Sequence, residues 1–166
     1  MIRLISLTPA ILLMATFSPA QEAPAPKIEI IRAQYSWGYL GHDGEGKGTL
    51  AVLVDATTGH VVLELHGLGE RLMLLEGDRP KGYRVQIPRQ KLDETALNLG
   101  ELPLPFLPQI STPEALRALI TSGTGPGVKV TKKDAKGPVK LKYQGKDDLG
   151  KEVQVWLVRK RIDVGS

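Results

Sequence analysis

Apolar and polar positions alternate with a period of two through most of this chain. In HVVLELH (His60–His66), Val61, Leu63 and Leu65 share one face, with Glu64 and both histidines opposite. Tyr83, Val85 and Ile87 alternate with Arg84 and Gln86. Val139, Leu141 and Tyr143 alternate with Lys140, Lys142 and Gln144, and Val153, Val155 and Leu157 with Glu152 and Gln154. Ile28–Trp37 alternates more loosely. Thr49–Val54 and Leu72–Leu75 are apolar almost throughout, and Val128 with Val130 opens a further run. Strands patterned this way bury one face and wet the other, which predicts an antiparallel sheet with one buried side. Gly41–Gly48, Thr57–Gly59, Gly77–Gly82 and Lys146–Gly150 carry turn residues, and connections so short predict an up-and-down meander.

The pattern predicts two helices. One runs from about Pro113 to Thr121. Ser111 or Thr112 caps it, Pro113 suits its first turn, Gly123 ends it, and Leu116, Leu119 and Ile120 form its apolar stripe. The other lies in Gln90–Leu99, with Leu92, Ala96, Leu97 and Leu99. Two short helices cannot cover both faces of roughly seven strands, so the sheet is expected to curl around them. The expected fold is mainly β (α+β). It is a strongly curved antiparallel sheet, an open or half barrel, with one or two short helices as a lid over an apolar cavity.

Between these helices Gly100–Gly123 reads GELPLPFLPQISTPEALRALITSG. Its prolines remove backbone donors, so Leu102–Pro108 cannot be a central strand. Its large apolar side chains must bury against the protein's own core or against an oily ligand. Leu68, between Gly67 and Gly69 at a hairpin tip, poses the same choice. Tucked inward it is core, and protruding it is a contact for lipid.

Met1–Arg3 is a short basic start, Leu4–Phe17 is mostly apolar, and Ser18-Pro19-Ala20 offers a small-residue cleavage site. We therefore expect a signal peptide over 1–20, a flexible leader over 21–26, and a single domain over 27–166. The protein is then exported to the periplasm or cell envelope and soluble after cleavage. There is no cysteine, which excludes disulfides, thiolate metal sites, cysteine nucleophiles and a lipidated cysteine anchor. The formal net charge is +4, and the excess is concentrated in Gly127–Ser166, with eleven Lys or Arg against five Asp or Glu. Such charge suits solvated strand faces, or attraction to an anionic membrane or acidic partner. No aromatic stacking pattern interleaves with the lysines, so nucleic acid is not expected as a partner.

No catalytic constellation emerges. A G-x-S-x-G elbow is lacking, and Asp93-Glu94 and Asp147-Asp148 are adjacent pairs, whereas acid/base carboxylates come from separate elements facing one cleft. Glu64 and His66 are close enough to share a cation, but His60 lies about 13 Å away along the strand, so the three read as a solvated face. The glycine runs at Gly44–Gly48 and Gly123–Gly127 have no phosphate-loop lysine. We expect no enzyme activity, no catalytic residues, no metal and no cofactor.

Three segments carry a family resemblance. They are LELHGLGERLMLLEG (Leu63–Gly77), the proline segment with its helix (Gly100–Gly123), and GPVKLKYQGKDDLGKEVQVWLVRKRI (Gly137–Ile162). Together they resemble the superfamily of periplasmic lipoprotein carriers and outer-membrane lipoprotein acceptors, the LolA/LolB type, and the acceptor more closely. The resemblance implies a curved sheet around an apolar cavity that holds lipoprotein acyl chains and hands them on without catalysis. It also implies that Leu68, which matches a protruding leucine of the acceptor, touches membrane or acyl chain. The acceptor is lipid-anchored through a cysteine, which this chain lacks.

Pattern and resemblance converge on a monomeric binder of acyl chains or another lipid, with a membrane surface as a second partner. Burial supplies about 0.8 kcal/mol per methylene, so such a site needs no polar motif. The expected lining is Leu63, Leu65, Leu74, Val85, Leu104, Phe106, Leu116, Leu119 and Leu141. The alternative is a small structural or interaction β-domain of an envelope complex, in which the same residues form a filled core. A hydrolase is the weakest reading.

Overall fold

The alternating segments pair into one antiparallel sheet of nine strands. The structure is a computed structural model that describes residues 29–104, 110–147 and 149–165. The expected signal peptide, the leader and Phe106 lie outside these residues. The strands are β1 (Ile30–Gly41), β2 (Gly44–Asp55), β3 (His60–Gly67), β4 (Glu70–Asp78), β5 (Gly82–Ile87), β6 (Leu92–Ala96), β7 (Val128–Asp134), β8 (Gly137–Lys146) and β9 (Glu152–Gly165), and the one α-helix among the described residues is α1 (Pro113–Ser122). Among the described residues no helix is long and apolar enough to cross a membrane.

The strand order is β6-β5-β4-β3-β2-β1-β9-β8-β7. The meander expectation holds within β1–β6 and within β7–β9, and β9 joins the two by pairing with β1. β6 and β7 are the two edges, so the sheet is open. The chain must therefore cross from one edge to the other between them, and α1 lies on that crossing.

Inward positions follow the alternation. Tyr35, Leu50, Val52, Leu63, Val85 and Leu141 are buried on the face that α1 covers. Two charged side chains are buried as well, Asp55 and Arg159, the latter paired with Asp134. Helix α1 begins where its capping chemistry predicts. Thr112 accepts the Ala115 amide at 3.1 Å, Pro113 occupies the first turn, and Gly123 closes the helix with φ of 75°. Its exposed side carries two ion pairs, Glu114 with Arg79 of the β4–β5 turn and Arg117 with Glu29 ahead of β1.

The second expected helix, in Gln90–Leu99, is instead β6, flanked by two short 3-10 turns. The spacing of Leu92 and Ala96 fits a helix, but it also puts both on one face of a strand. There they pair with Ile87 and Tyr83 of β5. On the other face Arg84 grips Asp93 with two hydrogen bonds of 2.7 and 2.6 Å, and Gln86 adds a third at 3.1 Å. Pairing with the edge of β5 overrides a weak helical pattern whose interior holds Asp93 and Thr95.

Candidate functional site

The site of interest is the layer between α1 and the sheet. Leu116, Leu119 and Ile120 face inward from α1, and Ile110 joins them from the preceding loop. Beneath them lie Tyr35 of β1, Leu50 and Val52 of β2, Leu63 of β3, Leu141 of β8 and Leu157 of β9. One ten-residue helix thus covers five neighbouring strands.

The space left between these groups is about 10 Å³. A pocket for a drug-sized ligand spans roughly 300–1,000 Å³, and a single water already needs about 10–15 Å³. The space between α1 and these five strands is thus too small to be the expected apolar cavity, because the three large aliphatic residues of α1 occupy it.

One polar atom breaks this apolar layer. Tyr35 is 2 % exposed, and among the described residues its Oη is the one buried side-chain polar atom without a hydrogen-bond partner. Burial pushes its pKa up to about 12, with the positive charge of Arg159 working weakly against that. A buried donor left unmet costs about 1–3 kcal/mol. The other side chains that line the adjoining space are all apolar and offer it no second polar group.

The sequence-expected lining residues divide into four groups. Leu63, Leu116, Leu119 and Leu141 meet at this layer. Leu65 and Val85 are buried in the same core without lining the residual space, and Leu104 is half-buried against it. Phe106 lies outside the described residues. Leu74 is a correction: it lies on the opposite face, paired with Glu64, while Met73 and Leu75 point inward. The Leu72–Leu75 run is apolar at every position, so its period is unreadable, and a bulge opposite Leu65 and His66 sets which residues turn inward. Tyr35, Leu50, Val52, Ile110, Ile120 and Leu157 complete the layer. All but Ile110 sit in runs or a stripe that the alternation and helical spacing already mark.

Leu68 protrudes. The β3–β4 loop is Leu68-Gly69, with Gly67 and Glu70 paired across it. Leu68 has φ of 53° and Gly69 φ of 82°, the pair of positive values that a type I′ turn requires. Asparagine or glycine ordinarily fills the first of these positions, yet here a leucine stands 86 % exposed.

The outer face of the sheet offers different chemistry. A shallow trough of about 440 Å³ lies over the small Ala51, between Arg32, Gln34, Leu53, Val62, Glu64 and the Arg161–Asp163 ion pair. Glu64 also meets His66 Nε2 at 3.0 Å, which leaves this pair half-exposed on the outer face. Among the described residues no group of three potential ligands could hold a metal.

Fold and site together define an open antiparallel β-sheet protein with a helix-covered apolar interior. No protein-family model matches the chain, and no curated protein matches it.

Proposed function

We propose that this protein is a non-catalytic lipid carrier or acceptor of the cell envelope. It takes acyl chains of lipoproteins, or another lipid, between α1 and the sheet when α1 lifts. The single observation that carries this reading is the construction of the interior. One short helix, held at its rim by exposed ion pairs, seals an apolar surface spread over five strands around one unsatisfied hydroxyl.

The energies permit the exchange. Freeing Leu116, Leu119 and Ile120 from their burial costs roughly 5–9 kcal/mol, at about 1.5–3 kcal/mol each. An acyl chain of about a dozen carbons returns about 10 kcal/mol when buried in their place. The rim ion pairs add about 0–1 kcal/mol each, so they hold the lid without locking it. Leu68 belongs to the same reading as the point that meets membrane or incoming acyl chain. A residue kept in a strained, solvent-exposed position fits a contact role better than a packing role.

A second reading has one observation in its favour. A residual space of about 10 Å³ is what a filled-core interaction domain would have. Titration with an environment-sensitive fluorescent fatty acid separates the two. A carrier gives saturable one-to-one binding and a higher melting temperature, and a filled core gives neither.

A further inference from the structure

Strand β8 carries Lys140 and Lys142 on the outer face, the side of the sheet away from α1. Across from them on β7, Lys142 stands opposite Lys129 and Lys140 opposite Lys132. Like charges placed directly across an antiparallel pair destabilise it. Among the described residues none of these four lysines forms an ion pair. From the half-exposed Lys142 the register continues through Trp156 of β9 and Gly38 of β1 to Lys47 of β2, a fifth lysine and an exposed one. Trp156 lies against Gly38, where a Cβ would collide with the indole, and the ring remains half-exposed. A tryptophan thus sits at the centre of a row with lysines on both sides.

Protection of a sheet edge accounts for lysines on β7, the edge strand. It does not account for Lys140 and Lys142, which lie on an internal strand, or for Trp156.

We infer that the outer face of β7, β8 and β9 docks on an anionic phospholipid surface. Lysines are flexible point charges suited to a diffuse, mobile layer of headgroups, whereas a protein partner's fixed carboxylates are best met by the arginine fork. An indole with one apolar and one polar side settles at headgroup depth. Leu149, 72 % exposed in the β8–β9 connection, supplies an apolar group at one end of the same strands. Docking by this face leaves α1 on the opposite side, so it stands independently of the acyl-binding reading.

The test mixes the full chain with vesicles of phosphatidylcholine alone or with phosphatidylglycerol added, and reads co-sedimentation and tryptophan emission. Binding to the anionic vesicles, weakening with salt and shifting the emission to the blue, is the expected result. Trp156→Phe should remove the shift, since Trp37 is buried. Each lysine near such a surface contributes about fivefold in affinity, so changing Lys129, Lys132, Lys140 and Lys142 together to glutamine should weaken binding several hundred-fold. The same variant should keep or raise its melting temperature, because two like-charge rows are relieved. Equal binding to both vesicle types, or unchanged binding by the variant, would overturn the inference. So would a Trp156 shift produced by poly-glutamate and not by anionic vesicles, which would assign the face to an acidic protein. None of these readouts depends on fatty-acid uptake beneath α1.

Discussion

The indole Nε1 of Trp37 donates to the carbonyl oxygen of His66 at 2.8 Å, reaching from β1 across β2 to β3. The strand between them passes as Gly48. A Cβ built there would collide with that same carbonyl oxygen and come within 2.8 Å of Nε1. His66 sits at the bulge in the β3–β4 pair, two residues before Leu68. One hydrogen bond therefore fixes the root of the hairpin that presents the exposed leucine.

Gly48→Ala should destabilise the fold by about 2–3 kcal/mol, since the added methyl meets backbone that cannot swing aside. Trp37→Phe should cost about 1–3 kcal/mol by leaving the His66 carbonyl without its donor. Chemical denaturation checks both, and hydrogen exchange at Gly67–Glu70 should rise in each.

Leu68 is held where its own backbone preference opposes it. Leu68→Asn should raise stability by about 1 kcal/mol, because asparagine accepts the left-handed conformation more readily. Leu68→Glu should leave the melting temperature nearly unchanged. On the proposed function both variants lose lipid transfer between vesicles while retaining fatty-acid binding. A large loss of stability in Leu68→Glu would instead mark the side chain as structural.

Tyr35→Phe removes an unmet hydroxyl from an apolar layer and should stabilise the protein by about 1 kcal/mol. The same change should weaken binding of carboxyl-headed lipids about three- to tenfold, while methyl-ended hydrocarbons bind as before. Paired melting and displacement titrations read the two effects.

Stability should fall at both ends of the pH range. At Asp55 burial raises the pKa, but the Thr58 hydroxyl at 2.7 Å and the amides of Thr57 and Thr58 outweigh it and hold the group below the carboxylate range. At Asp93 the Arg84 and Gln86 hydrogen bonds lower the pKa to about 2. Folded values below the unfolded ones give stability that is complete above about pH 4 and lost as pH drops toward 2. Tyr35 and Tyr39, both raised to about 12 mainly by burial, ionise sooner in the unfolded chain, so stability falls again from about pH 10 to 12. Asp55→Ala should cost about 1–3 kcal/mol at neutral pH and flatten the acid limb.

Legibility of the fold in the sequence tracks how sharply each segment alternates. β3 and β5 alternate cleanly, and their buried side chains are those the pattern marks. In β8 the pattern marks Leu141 but misses the buried Pro138, and in β9 it marks Val153, Val155 and Leu157 but misses Ile162, which lies beyond a bulge. β4 is apolar at four consecutive positions, so only the bulge decides that Met73 and Leu75 turn inward and Leu74 outward. β6 carries a weak helical spacing, and only the unpaired edge of β5 makes it a strand. The β1–β9 pairing joins residues more than a hundred positions apart, and no local pattern encodes it. At the site, the alternation identifies Leu63 and Leu141 as inward and the helical stripe does the same for Leu116 and Leu119. Whether the volume among them is empty depends on how closely α1 approaches, which short-range patterning does not specify. The exposure of Leu68 is likewise set by the turn's two-residue length, which leaves its side chain no neighbour to pack against.

The most direct measurement is cross-linking with a fatty acid that carries a photoreactive diazirine near its methyl end, followed by mapping of the adducts. If α1 lifts to admit acyl chains, adducts fall on Leu116, Leu119 and Ile120 and on Leu63 and Leu141 beneath them, and unlabelled fatty acid competes them away. Adducts confined to the outer face of the sheet, or none on a correctly folded chain, would contradict the account.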